Sequence, residues 1–323
     1  MTMKAVVLYR AGGPENLRLE DRKIPSASQG QVLIKIKSFG LNRSEVMTRK
    51  GYSEGVHFPR VLGIECVGEI VQDPSDEFRK GQKVAAFMGG MGRDFDGSYA
   101  EYAVLPKTVI SSFESSLPWD VLGALPEMFQ TVYGSLFSAL TIKSGETLLI
   151  RGGTSSVGML AAQLAKSKGL KVISTTRNVD KVSLLMENGA DEVLIDDGNL
   201  SKQISEQDLK VDKILELVGT STLKDSLSSV ARGGIVCMTG MLSEQWSIKE
   251  FEPMDYIPAA TFLTVYDSGQ MRVDGKYFQE FTNEIENGNI HPKIKKVFKL
   301  EEISEAHSFM ESNSGGGKIV VVL

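Results

Sequence analysis

Residues 148–162, Leu-Leu-Ile-Arg-Gly-Gly-Thr-Ser-Ser-Val-Gly-Met-Leu-Ala-Ala, run an apolar strand into a turn of small residues and out into a helix. Such a junction constrains much of the fold around it. A buried strand that reverses into a helix leaves the first N–H groups of that helix facing the turn, and those groups, with the helix dipole, suit a pyrophosphate. A dinucleotide-binding turn asks for glycine at the tight bend, where backbone nears phosphate, and where helix meets strand. Gly153 and Gly158 fill the first and third places and Ser155 the second, with Thr154, Ser156 and Val157 completing the loop.

Cofactor choice is read at the end of the next strand, about twenty residues on, where an acidic residue would bind the adenosine ribose hydroxyls of NAD. Here the strand 171–176 ends in Thr175 and Thr176, followed by Arg177 and, four residues later, Lys181. A carboxylate at that point would repel a 2′-phosphate, whereas hydroxyls, a guanidinium and an ammonium hold one by charge-assisted hydrogen bonds. The expected cofactor is therefore NADPH.

The chain has 323 residues, enough for two domains. Its net charge of −5 argues against a nucleic-acid partner, and no apolar run reaches the length of a membrane span. The first ten residues read as a strand without a signal-peptide core, and two cysteines, Cys66 and Cys237, allow neither a disulfide framework nor a cysteine-based zinc cluster. A cytoplasmic protein is expected.

Up to about residue 118 the pattern is β-rich, with strands expected over 5–9, 32–37, 64–71, 83–87 and 99–105. Helical periodicity follows through 124–140. Strands over 147–151, 171–176, 192–195, 213–218 and 234–239 then alternate with helices starting near Ser156, Asp180 and Ser221. That alternation predicts an α/β fold with a parallel, doubly wound sheet. A further strand over 261–266, helices near 276–286 and 301–312 and a last strand over 318–322 close the chain, and the Ser314–Gly317 patch reads as a short loop before that strand.

This order of parts resembles the medium-chain dehydrogenase/reductase superfamily, and within it the zinc-independent NADPH:quinone oxidoreductase branch. The resemblance spans nearly the whole chain. It rests on Gly40–Glu45 with Arg49–Tyr52, on Pro59–Glu69, Lys80–Val84 and Gly97–Tyr102, on Thr131–Tyr133, on the glycine turn, and on Asn188–Asp191. It implies a GroES-like catalytic domain over 1–118, completed by 269–323, and a Rossmann dinucleotide-binding domain over 119–268. Zinc enzymes of the superfamily carry cysteine where this chain has Asn42 and Gly-His-Glu where it has Gly63-Ile64-Glu65. Isoleucine ligates no metal and asparagine is a poor zinc ligand, so no metal is expected. His57, His291 and His307 lack paired spacing and read as surface or core histidines.

The resemblance implies direct hydride transfer from NADPH to a quinone or another conjugated carbonyl. It places Asn42 beside the nicotinamide ribose, Thr131 near the nicotinamide, Tyr52 at the pocket mouth as a possible phenolic donor, and Gly240, Met241 and Leu242 against the carboxamide. Tyr52 has an equal claim to be a half-buried packing residue. Quinone reductases usually have two glycines in place of Ser155-Ser156, and the compensation expected is that the serine hydroxyls donate to the pyrophosphate. Phe129, Met241, Met254, Phe262 and Met271 read as core more readily than as pocket lining. Reduction of enones or enoyl thioesters, and a non-catalytic NADPH-binding regulatory role, are the competing functions. A homodimer is expected through strand 261–266, whose edge would otherwise be exposed.

Overall fold

The computed structural model describes residues 1–312 and 316–323. It divides into two units, Met1–Gln130 with Ser268–Leu323, and Thr131–Asp267.

The first unit opens with β1 (Thr2–Leu8), β2 (Leu17–Lys23) and β3 (Gln31–Gly40), then α1 (Arg43–Lys50), β4 (Arg60–Val61), β5 (Cys66–Gln72), β6 (Lys83–Ala86), β7 (Tyr102–Pro106) and β8 (Ile110–Ser112). Two short helices follow, α2 (Trp119–Leu122) and α3 (Leu125–Tyr133), and the division between units falls inside α3. The first unit extends past residue 118 because Phe129 packs on Phe278 and Phe281, with ring centroids 5.3 and 5.2 Å apart. Phe129 is core, as its sequence context suggests.

The second unit is a six-stranded, wholly parallel sheet: β9 (Thr147–Arg151), β10 (Lys171–Thr176), β11 (Glu192–Ile195), β12 (Lys213–Glu216), β13 (Ile235–Met238) and β14 (Phe262–Val265). Between them lie α4 (Ser156–Ser167), α5 (Val182–Glu187), α6 (Leu200–Glu206), α7 (Thr220–Ser229) and α8 (Pro253–Tyr256). The spatial order β11-β10-β9-β12-β13-β14 reverses between β9 and β12, so the crevice beyond their C-terminal ends is the topological switch point where such sheets bind ligands. Leu148, Leu149 and Ile150 are all buried, as a strand covered on both faces requires. Helix α6 has no counterpart in the sequence reading, because only Leu200 and Ile204 of its mostly polar residues face the core.

The chain returns to the first unit with α9 (Gly275–Glu286), β15 (Ile294–Lys299), α10 (Ile303–Glu311) and β16 (Lys318–Val322). These complete a seven-stranded sheet in the order β15-β16-β3-β5-β6-β8, with β7 also on β3, beside the small sheet β2-β1-β4. Strand β16 lies antiparallel to β3, with Val320 opposite Gly40, and this brings Lys318 to the start of α1. Of the loop reading over Ser314–Gly317, Ser314 and Gly315 lie outside the described residues.

Candidate functional site

In the second unit β9 ends at Arg151 and the bend falls on Gly152, whose φ of +87° is left-handed and suits glycine. From spacing alone the bend is expected at Gly153. The structure gives Gly153 a packing role instead, since a Cβ there would run into the Ser174 hydroxyl of β10. Gly158 keeps its assigned place: a Cβ would stand 2.8–2.9 Å from the backbone of Gly152 and Gly153.

Ser155 is the N-cap of α4. Its Oγ accepts from Gly158 N at 3.0 Å and donates to Gly152 O at 2.9 Å. That hydroxyl proton is therefore used inside the turn and does not reach a pyrophosphate, contrary to the compensation expected of it. The first-turn N–H groups of Ser156 and Val157 have no intrahelical acceptor by helix geometry, which leaves an anion cradle at the switch point.

A cleft of about 460 Å³ opens there. Its lining includes Gly152, Thr154, Thr175, Thr176, Arg177 and Leu242. Thr175 Oγ1 accepts from Gly152 N at 3.2 Å, and Thr176 Oγ1 accepts from Asn178 N at 3.1 Å, so both hydroxyls brace local backbone. Arg177 is exposed and, among the described residues, pairs with no carboxylate. Lys181 ends the 3-10 turn Val179–Lys181 and is not part of the lining. Gly240 makes its close approach to the backbone of Leu217, and Met241 packs on Gly219, so the tightness there belongs to β12 and the turn after it.

Two carboxylates in the lining, Asp196 and Asp197, escaped the sequence reading. Their signal was an Asp-Asp-Gly-Asn run directly after β11, the same end of the sheet as the glycine turn. Asp197 accepts from Asn199 N and Gln203 Nε2, each at 3.0 Å. Asp196 takes both arms of the buried Arg151 guanidinium, at 2.8 and 2.9 Å. Arg151 also donates to Asp225 at 2.7 Å, to Ser226 Oγ and to Thr222 O. Beneath it, burial pushes the Glu216 carboxyl above its ordinary range.

The first unit carries a second buried ionic cluster. Asn42 precedes α1, and its N–H donates to Glu45 Oε2 at 3.0 Å. Asn42 Nδ2 donates to Glu65 Oε1 at 2.8 Å, while Lys318 Nζ donates to Asn42 Oδ1 at 2.5 Å and to Glu65 Oε1 at 2.7 Å. Glu65 Oε2 accepts from Glu127 N at 2.8 Å. Burial raises the Glu45 carboxyl to about 8, offset in part by Lys318 and reinforced by Glu65.

This donor set does not fit zinc. Ile64 offers no ligand atom, and the ammonium of Lys318 takes up the Asn42 and Glu65 oxygens that remain. Among the described residues no group of three His, Cys, Asp or Glu converges on a point.

Tyr52 is 65% exposed on the loop after α1, and Thr131 lies in α3 as the first residue of the second unit. Met254 and Phe262, read as core, are exposed, and Met271 is on the surface as well. His57 and His291 are exposed, whereas His307 is buried with Nε2 2.9 Å from Tyr99 Oη and Nδ1 without a partner. Burial pushes both cysteine thiols up, Cys237 to about 11. No helix among the described residues is long and apolar enough to cross a membrane.

Comparison with known proteins matches residues 28–114 to the alcohol dehydrogenase GroES-like domain and residues 188–321 to the family described as zinc-binding dehydrogenase. The quinone oxidoreductase of Mus musculus is 30% identical over 338 residues, covering 99% of this chain and 98% of that protein. Its Homo sapiens counterpart is 29% identical over the same shares of both chains. In fold the chain is similar to the Escherichia coli quinone oxidoreductase solved with NADPH, with a TM-score of 0.89 at 20% identity, covering 99% of this chain and 100% of that one. The two-part architecture, the glycine turn at the switch point and these end-to-end likenesses lead to one conclusion: the chain is an oxidoreductase that belongs to the quinone oxidoreductase branch of the medium-chain dehydrogenase/reductase superfamily.

Proposed function

We propose that this oxidoreductase uses NADPH to reduce a quinone or a similarly conjugated carbonyl. The observation that carries the cofactor choice is Arg177: an exposed guanidinium without a carboxylate partner among the described residues, in the lining of the cleft at the end of β10. It supplies the charge that a 2′-phosphate needs. Asp196, the nearest acid by position in the sheet, is bound by Arg151.

When bound, the nicotinamide supplies the hydride. The chain's own part is to hold the pyrophosphate on the backbone N–H groups of Ser156 and Val157, to keep Asn42 against the nicotinamide ribose, and to set Thr131 beside the ring. Tyr52 offers a phenolic donor to the oxygen that gains charge in the acceptor. Conjugation suits this site because it spreads that charge without a Lewis acid, and the Lys318 ammonium takes up the Asn42 and Glu65 oxygens that a metal would need. The mouse and human relatives carry the name quinone oxidoreductase, which agrees with this acceptor class.

We also propose a cytoplasmic homodimer joined along β14. Phe262 and Val265 are 58% and 57% exposed on this edge strand. The N–H of Phe262 donates to Gly234 O, just before β13, and that of Tyr266 to Met238 O, so by the period of two those of Leu263 and Val265 face outward. Val265→Pro removes an outward donor and shifts the protein to monomer in light scattering. Retention of the dimer in that variant would show that another surface joins the subunits.

Titration of cofactor-free protein with NADPH and NADH, followed by absorbance at 340 nm against benzoquinones, naphthoquinones, enals and enoyl thioesters, tests the function. NADPH binds more tightly and quinones turn over fastest. Equal affinities, or turnover confined to enoyl thioesters, would overturn the respective half of the proposal.

A further inference from the structure

An asparagine side chain has two ends of nearly equal size, one accepting and one donating, and nothing in its own shape fixes which way it points. The first unit fixes it by charge. Lys318 Nζ carries only donors and meets Asn42 Oδ1 at 2.5 Å, while Glu65 Oε1 only accepts and meets Asn42 Nδ2 at 2.8 Å. Lys318 and Glu65 also bond directly at 2.7 Å, so the three groups close a triangle. A flipped amide would set its NH2 group against an ammonium and its carbonyl against a carboxylate.

The surroundings hold the triangle in place. Glu65 is fully buried and its second oxygen is held by Glu127 N. Lys318 is 3% exposed, and its stem passes Gly40, where a Cβ would strike both Lys318 Cε and Glu65 Oε1. The second Nδ2–H of Asn42 has Glu45 Oε1 and Gly40 O at 3.4 Å. Oδ1, which also faces the Glu45 N–H in the capping box of α1, is the only acceptor atom of the amide.

We propose that Lys318 and Glu65 are positioning residues that lock the Asn42 amide with Oδ1 presented as an acceptor toward a ribose hydroxyl. The link to the ribose rests on the role given to Asn42 under the proposed function; the lock itself does not. A cation fixed between residues 42 and 65 thus organises this corner of the fold, and in this chain that cation is a lysine side chain.

The test uses full-length protein labelled with 15N-asparagine and free of cofactor, with the Asn42 side-chain amide identified by its loss in Asn42→Ala. In the unmodified protein its protons exchange slowly with solvent. In Glu65→Gln/Lys318→Met, which avoids leaving a lone buried carboxylate, exchange is faster by about 10–100-fold, the range for losing a hydrogen bond to a charged group. Lys318→Arg keeps most of the protection because it retains the donor and the charge.

Single-turnover oxidation of NADPH gives the second readout. The double variant loses on the order of 10–100-fold in the hydride step, as expected for a misplaced contact, with a smaller change in NADPH affinity. Adding Asn42→Ala to it costs little more. Unchanged amide exchange in the double variant, or a full further loss of about 10–100-fold when the double substitution is made in an Asn42→Ala background, would overturn the lock. Failure of every acceptor with the unmodified protein would overturn the hydride-transfer reading alone, because amide exchange is read without cofactor or acceptor.

Discussion

Each unit buries an ionic cluster among or near residues proposed to bind cofactor, and the two are built differently. In the second unit Arg151 spreads its planar fork over Asp196 and Asp225, with Ser226 and Thr222 taking further bonds. Asp225 in turn accepts from Leu200 N and Ser201 N at the start of α6. The guanidinium ties the ends of β9 and β11 to two helices under the glycine turn. In the first unit Lys318, a compact ammonium, spends two of its donors on one amide and one carboxylate. The saturated cluster braces the floor of a cleft, whereas the sparser one fixes which way an amide points.

That contrast is broken most directly at Arg151. Removing one partner of a buried, hydrogen-bonded pair leaves the others uncompensated and costs about 3–5 kcal/mol. Arg151→Met should therefore lower the unfolding transition of the second unit by that amount in calorimetry or urea. Arg151→Lys recovers only part of it, since three ammonium donors cannot replace the five bonds of the guanidinium or its two-armed grip on Asp196. A loss under about 1 kcal/mol in Arg151→Met, the value of a surface pair, would mean that Arg151 is not a brace.

A smaller effect sharpens the cofactor half. Arg177 lies outside the Arg151 brace, so Arg177→Ala should leave stability almost unchanged. It should weaken NADPH by about 1.5–3 kcal/mol, the worth of a charge-assisted hydrogen bond, and NADH hardly at all. Isothermal titration of both cofactors checks this, and a parallel loss for the two would remove Arg177 from 2′-phosphate recognition.

The last effect lies in the pH dependence of the first unit. Folding holds a proton on Glu45, raised from 4.5 to about 8, so the folded chain keeps a proton that the unfolded chain has released and stability falls as pH rises through that window. Burial, helped by Arg49, lowers His307 from 6.5 to about 3, so stability falls as pH drops through that lower window. The two slopes oppose each other where the windows overlap, and above it the decline comes from buried carboxyls, Glu45 among them and Glu216 adding in the same direction. In urea unfolding across pH, Glu45→Gln should flatten that decline. Parallel profiles for the variant and the unmodified protein would place the buried proton elsewhere.

Much of the second unit was legible in the sequence because its signals are local. Strands β9, β10 and β11 fall at their expected residues, since each is a run of apolar or β-branched residues ended by a turn. Helix α6 was not legible, because two buried residues in a polar segment carry no periodicity. Strand β2 escaped for a related reason: it is an edge strand of mostly charged residues, recognisable only by its pairing with β1.

The site divides in the same way. The glycine turn and Arg177 could be read from spacing along one βαβ run. The use of Ser155 within its own turn, the Arg151 fork and the Lys318 triangle could not, because each depends on which atoms meet after the chain has folded. Lys318 and Asn42 are separated by 276 positions.

The central claim is hydride transfer from NADPH without a metal, at a site whose cation is Lys318. Its most direct test is single-turnover oxidation of bound NADPH by 1,4-naphthoquinone in stopped flow, before and after exhaustive chelation, with zinc content measured on the same samples. The account predicts the same rate in both samples and zinc well below one per chain. A rate that falls on chelation and returns with added zinc would contradict it.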